Sequence, residues 1–372
     1  MSTPEHHYLW LVSLALPDLG RRGLLSLLQH CPDPRQFLQQ PPATLPLPAA
    51  AAAALRAWQK RGRASDIGRV AARQQKALAA LGGQLLCLGD EQYPDLLREI
   101  ADPPPVLFAL GNPALPLRPA IAIVGSRRAS ATALADARRF AGELGAAGFC
   151  VISGLALGVD GAAHQGALDA DAATIAVLGT GLDVIYPRRH SALYKRIAER
   201  GLLLTEQPLG APPRPGQFPA RNRIISGLSL GTLVVEAAAN SGSLITARLA
   251  AEQNREVFAL PGSIHHPGSQ GCNSLIRSGA TLVQTVADIV EQLSGWSAPA
   301  RAYGPGLNAP RVHPDPAQQR LLAQLGYEPT SLESLAERSG FAGEQLLAML
   351  GELELEGWVE CVQGAYQRVA IT

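Results

Sequence analysis

AIAIVGSRRASATALADARRFAGELGAAGFCVISGLALGVD, residues 120–160, is the stretch from which the fold of this chain can be read. It opens on an apolar run, Ile121 to Val124, of the kind that forms a strand buried on both faces. Gly125, Ser126, Arg127 and Arg128 interrupt the run, and a helical pattern follows from Ser130 to about Ala146. A second apolar run, Phe149 to Ile152, closes on Ser153 and Gly154. Strand, glycine-containing turn, helix and strand make the βαβ unit of a parallel sheet. The turn sets Gly125 and Ser126 just before a helix N-terminus, where unpaired N–H groups and the helix dipole favour an anion. Arg127 adds a guanidinium fork suited to phosphate. The expected feature is a phosphate seat.

Towards the C-terminus the alternation repeats. Thr174–Leu178, Leu202–Thr205, Leu233–Glu236, Val257–Leu260 and Thr281–Gln284 are further candidate strands, with helical patterns in most of the gaps. Such alternation predicts an α/β fold with a doubly wound, mostly parallel sheet. Ligands of these sheets sit at the carboxyl ends of the strands. The polar candidates fall there: Ser126 and Arg127, Ser153 and Gly154, Gly179 to Asp183, Glu206, and Pro261 to Ser263.

On the N-terminal side, Tyr93-Pro94 and Asp102-Pro103-Pro104-Pro105 read as a stiff connector leading to Val106–Leu110. Residues 1 to about 80 are helical in pattern. Leu16 to Gly23 is either a plain corner between two helices or a turn that offers N–H groups to phosphate. The alanine-rich segment Ala43–Trp58 is low in complexity and expected to pack loosely. Past the sheet, residues 295–316 hold five prolines and three glycines and read as a linker. Three short helical patterns (Ala317–Leu325, Ser331–Arg338, Gly343–Glu356) and a hairpin (Trp358–Val362, Ala365–Val369) then predict a winged helix. The expected division is an N-terminal helical domain over 1–82, a core over 83–294, the linker over 295–316 and the winged helix over 317–372.

The 372 residues carry 32 Lys and Arg against 31 Asp and Glu, a net charge of +1, so the chain is no basic nucleic-acid coat. The balance is uneven: +2 over residues 1–110, +5 over 111–314 and −6 over 315–372. An anion belongs with the middle. The third helical pattern of the tail holds Glu344, Glu352, Glu354 and Glu356 with no Lys or Arg, which a duplex groove would repel. That points to a protein contact or a structural role. The 5 cysteines are scattered without a C-x-x-C pair, which offers neither a disulfide framework nor a zinc motif and fits a reducing cytoplasm. Tyr8 to Leu16 is too short to span a bilayer, so no membrane partner is expected.

The chemistry narrows by exclusion. Gly125-Ser126-Arg127-Arg128 is not G-x-G-x-x-G, and Ser153-Gly154 supplies no acid for a ribose, so a dinucleotide cofactor is not expected. Gly231, Thr232 and Glu236 faintly resemble the P-G-G-x-G-T-x-x-E motif of phosphoribohydrolases, leaving a small-nucleotide enzyme as the alternative. Glu236 reads better as a cap for the next helix. Asp160 and His164 lie four apart and read as a helix-start carboxylate with a hydrogen-bonded imidazole, lacking a third metal ligand. His265 and His266 are loop residues. No nucleophile motif is present. Pro212 to Gly227 is the best single-strand signal: it holds Arg214, Phe218, Arg221, Asn222 and Arg223, and an aromatic three residues before an Arg offers a platform for a base and a fork for a phosphate. The same residues also fit a core phenylalanine with arginines paired to carboxylates.

Taken together, the segments resemble the DNA-processing protein A family, DprA or Smf, over about residues 90–293 and weakly in the tail. The resemblance is carried by Tyr93-Pro94 with Asp102-Pro103-Pro104, by Gly125-Ser126-Arg127, and by Ser153-Gly154-Leu155-Ala156 with Gly158, Asp160 and Ala163-His164. It continues through Gly179 to Asp183 with Tyr186-Pro187, Phe218-Pro219 with Arg221 to Gly227, Gly242 to Ala247, Pro261-Gly262 and Gly271 to Ile276. It implies an extended Rossmann-like core that binds single-stranded DNA, a homodimer, and handover of the strand to the RecA recombinase in natural transformation, with no catalytic activity. It assigns Gly125, Ser126, Arg127, Phe218, Arg221 and Asn222 to the DNA pocket. Thr205, where Ser is common, and Ala220, where a basic residue often sits, depart from the family pattern.

Overall fold

Apolar runs too short for helices become the strands at the centre of the molecule. A computed structural model describes residues 3–293, 316–326, 329–355, 358–362 and 365–368. Nine strands form one sheet: β1 (Gln84–Cys87), β2 (Val106–Gly111), β3 (Ala120–Val124), β4 (Cys150–Ser153), β5 (Thr174–Val177), β6 (Leu202–Thr205), β7 (Gly231–Val234), β8 (Glu256–Ala259) and β9 (Thr281–Leu282). Their order is β1-β2-β6-β5-β4-β3-β7-β8-β9. The seven strands β3 to β9 run parallel, and every residue of β3 to β7 is buried. The chain steps outward from β3 to β6, returns to lay β7 beside β3, and then continues to β9. That reversal makes the β3/β7 boundary the switch point of a doubly wound sheet, where ligands bind.

The proline connector leads into Val106–Gly111, which is itself a strand: β2 pairs antiparallel with β6, and β1 pairs antiparallel with β2. The parallel sheet thereby gains an antiparallel edge of two strands.

Helices α1 (Pro4–Leu14), α2 (Gly20–His30), α3 (Pro34–Gln39), α4 (Ala49–Arg61) and α5 (Asp66–Ala80) precede the sheet. The α1–α2 turn is a plain corner, with Asp18 and Gly20 both at φ 60°. Arg21, one residue on, ion-pairs with Asp102 and reaches Glu206 at 3.2 Å. The alanine-rich segment is packed rather than loose. Ala51 and Leu55 of α4 are wholly buried, because small side chains let helices approach closely. Tyr8, Trp10, Leu24 and Phe37 share one apolar core with Leu85, Val106 and Phe108 of the edge strands.

Between the strands run α6 (Asp95–Arg98), α7 (Ala131–Ala146), α8 (Val159–Asp169), α9 (Ser191–Arg200), α10 (Gln217–Gly227), α11 (Gly242–Glu252), α12 (Gln270–Arg277) and α13 (Val286–Gln292). Ser130 caps α7 by accepting the Ala133 N–H, and Ala133, Ala137, Phe140, Ala141 and Leu144 bury one helical face. A Cβ at Gly166 of α8 would stand 2.2 Å from the Arg138 carbonyl of α7, so the close α7–α8 crossing depends on that glycine.

In the tail, α14 (Pro316–Gln324), α15 (Leu332–Ser339) and α16 (Gly343–Leu355) accompany a three-stranded sheet of β10 (Thr330–Ser331), β11 (Val359–Val362) and β12 (Ala365–Arg368). Leu321, Leu335, Leu346, Leu350 and Leu353 form its core. Glu354 is exposed, whereas the side chains of Glu344, Glu352 and Glu356 lie outside the described residues, as does nearly all of the expected linker. Among the described residues, no helix is long and apolar enough to cross a membrane.

Candidate nucleic-acid interface

A cleft of about 860 Å³ opens at the β3/β7 switch point. Its walls come from the loop after β3, the start of α10, and the turn leading into α11. The β3 loop approaches α8 closely: a Cβ at Gly125 would stand 2.6 Å from the Val159 side chain, and one at Gly158 would stand 2.1 Å from the Ser126 carbonyl. Gly158 also has φ 80°, which a side chain would strain. The loop is thereby fixed, and Arg127 leaves it exposed to solvent.

The anion seat expected at the α7 N-terminus is taken by the protein itself. Glu236, two residues past β7, accepts the Ser130 N–H at 3.2 and 3.3 Å and the Ser130 hydroxyl at 2.7 Å. The Ser126 N–H, expected to be free, donates to the Glu236 carbonyl at 2.7 Å. Glu236 is therefore a cap, but of α7 across the switch point and not of the helix that follows it. His266 Nε2 lies 3.4 Å from the same carboxylate. The N-terminus of α11 opens on the cleft as well. Ser241, Gly242 and Ser243 line the cleft there, and the first turn carries no acidic residue. Sequence reasoning counted Gly242 to Ala247 in the resemblance but gave it no role; a Ser N-cap before an apolar helix was the available signal.

Helix α10 divides its polar residues by angle. Phe218, Arg221 and Asn222, spaced three and four apart, line the cleft together. Arg223 stands five residues from Phe218, about 140° round the helix, and points away. It joins Glu206 at 2.6 Å and Asp102 at 3.5 Å, in the network that also holds Arg21. Burial alone would raise the Asp102 pKa, but hydrogen bonding and charge from Arg21, with help from Arg223, hold it below the ordinary value.

The Phe218 ring is half buried. It lies 5.3 Å from the Tyr186 ring, between centroids, and a Cβ at Gly179 would come within 2.8 Å of it. The Arg127 guanidinium stands over the ring, 6.0 Å from its centroid. Among the described residues no carboxylate pairs with Arg127. A half-exposed ring beside an unpaired cation can take a base and the phosphate next to it.

Arg221 is 4% exposed. It donates to the Val177 carbonyl and, at 3.4 Å, to that of Phe218. Burial pulls its pKa down to about 10, Asp160 pulls it back up and Arg127 lowers it further, so the guanidinium keeps its charge at neutral pH. Asp160 accepts the N–H groups of Gly154 at 3.1 Å and Ala156 at 3.4 Å. His164 is not its partner: Nδ1 meets the Thr174 hydroxyl at 2.7 Å, and burial drives the His164 pKa down to about 3.

Ser153 and Gly154 sit beneath the cleft without lining it. The Ser153 hydroxyl, wholly buried, donates to the Ile123 carbonyl at 2.6 Å. A Cβ at Gly154 would stand 2.0 Å from Arg221 Nη1. Gly154→Ala is therefore expected to displace the Arg221 guanidinium and to destabilise the fold by roughly 1–3 kcal/mol, the usual cost of overpacking. Denaturant unfolding checks this; an unchanged midpoint would mean that Arg221 relocates freely.

Residues 84–294 match the family model for DNA recombination-mediator protein A, and residues 305–365 match the DprA winged helix domain. The chain belongs to the DprA/Smf family. Protein Smf of Escherichia coli K12 is 44% identical over 291 residues, which covers 77% of each chain. DprA of Bacillus subtilis is 42% identical over 207 residues, covering 55% of this chain and 70% of that one. Among solved structures, DprA of Streptococcus pneumoniae superposes with a TM-score of 0.66 at 35% identity, covering 77% of this chain and 97% of that one. DprA of Helicobacter pylori, solved to show its single-stranded DNA binding mode, gives a TM-score of 0.52 at 32% identity and covers 57% of this chain and 96% of that one. The extended Rossmann-like sheet, the helical N-terminal region and the C-terminal winged helix of a DprA/Smf protein are thus all present.

Proposed function

We propose that this DprA/Smf protein grips single-stranded DNA in the switch-point cleft and passes it to the RecA recombinase during natural transformation. The observation that carries the DNA reading is the unpaired Arg127 guanidinium over the half-exposed Phe218 ring. Gly125, Ser126, Arg221 and Asn222 complete the wall, and the single-stranded DNA binding mode of the H. pylori relative supports it. In this reading Ser153, Gly154 and Arg223 position the wall from behind. The protein acts as a homodimer in the cytoplasm, each subunit holding a short stretch of strand, and catalyses no reaction. The small-nucleotide alternative has less support, because the carboxylate it would use as a base, Glu236, already holds Ser130.

Salt-dependent binding of the full chain to oligo-dT and to a duplex of equal length tests the reading. Preference for the single strand, falling steeply with salt, is expected. Equal binding to both, or none, would overturn it. For the handover, the protein should speed RecA loading onto strand precoated with single-strand-binding protein; no acceleration would remove RecA from the scheme.

A further inference from the structure

We propose that His7, Cys87 and Asp90 form a zinc site that fastens the first helix to the edge of the sheet. The site lies far from the cleft, with β2, β6, β5 and β4 between β1 and β3. Residues 80 apart in the chain meet there. His7 belongs to the first turns of α1, whereas Cys87 ends β1 and Asp90 closes the turn that follows. The turn is tight: the Asp90 N–H donates to the Cys87 carbonyl at 2.8 Å, and the Asp90 carboxylate accepts the Cys87 N–H at 3.1 Å. Ligand atoms of His7, Cys87 and Asp90 all lie within 4.8 Å of one another. Zinc holds sulfur at about 2.3 Å and nitrogen or oxygen at about 2.0–2.2 Å, so these groups need move little to share one ion.

Two further observations point to a bound cation. His7 Nε2 is buried without a hydrogen-bond partner, a state that buried polar atoms rarely keep. Second, His6 Nε2 accepts the Trp10 indole N–H at 3.0 Å and also lies 3.3 Å from the Asp90 carboxylate. A nitrogen that accepts from Trp10 has no proton to give Asp90, so two lone-pair atoms face each other. A cation on Asp90 removes the conflict and leaves His6 as its outer neighbour. Imidazole, thiolate and carboxylate together favour zinc over magnesium or calcium, which take oxygen ligands. On binding, the Cys87 thiol releases its proton to water and the sulfur lone pair forms the bond to the metal.

The test uses the full chain without an affinity tag, loaded with Zn²⁺ or Co²⁺ and then dialysed. The expected result is about one metal per chain by atomic emission, and a near-ultraviolet thiolate-to-cobalt band that Cys87→Ser abolishes. His7→Gln, at a half-exposed position, should weaken the metal by more than the ~10–100-fold typical of losing an outer-shell partner. It carries the test alone if Cys87→Ser fails to fold. Metal lost on dialysis, a cobalt spectrum without the thiolate band, or retention unaltered in His7→Gln would each overturn the site.

Discussion

Arg127→Ala is expected to weaken oligo-dT binding by about 10- to 100-fold, the equivalent of the roughly 1.5–3 kcal/mol of a hydrogen bond to a charged group. Arg127 is exposed and has no carboxylate to lose among the described residues, so the change should leave folding untouched. The salt dependence separates causes. Loss of one phosphate contact on a single strand should flatten the slope of log affinity against log salt by ~0.7. Phe218→Ala should also weaken binding, by roughly 1–3 kcal/mol for one stacked base, while leaving the slope alone. Anisotropy titrations of both variants over a range of salt make the comparison. If Arg127→Ala binds like wild type, the strand runs elsewhere and the cleft is not its seat.

Arg223→Ala should behave in the opposite way, losing stability and keeping affinity. The Arg223 and Glu206 side chains are 8% and 9% exposed and meet at 2.6 Å. Removing one partner of a buried pair strands the other, at a cost of about 3–5 kcal/mol. Arg21, 3.2 Å from the same carboxylate, should hold the loss towards the lower end. Chemical denaturation measures the first quantity, and oligo-dT binding well below the melting temperature measures the second. A small stability loss with a large affinity loss would make Arg223 a DNA contact and undo its role as a brace.

The contrast between these two arginines shows how far the sequence can be read. The parallel strands were legible as short apolar runs, those of β3 to β6 closed by Gly, Ser or Thr at or just past the carboxyl end, a pattern that needs no partner to be recognised. β1 and β2 were not, since Gln84–Cys87 is brief and antiparallel pairing with β6 depends on a strand nearly a hundred residues away. Phe218, Arg221 and Asn222 announced themselves by type and by helical spacing. Arg223 was grouped with them in the sequence, and its angle on the helix and its partners Glu206 and Asp102 set it apart only in the fold. Glu236 misled in an instructive manner. Its capping role was readable, yet the helix it caps precedes it by a hundred residues, and that one carboxylate moves the anion-seeking helix end from α7 to α11. His7, Cys87 and Asp90 left no trace in spacing, because only the fold brings them together.

The core shared between the first five helices and the edge strands bears on how the protein can be taken apart. Tyr8, Trp10 and Phe37 rest on the same apolar surface as Leu85, Val106 and Phe108. Cutting the chain before β1 would bare that wall to water while leaving β1 at the sheet margin, unshielded and still able to pair. Such a fragment would self-associate, and its failure in a binding assay would report sticky surface and not a missing DNA contact. The helices are a lid on the sheet as much as a unit of their own.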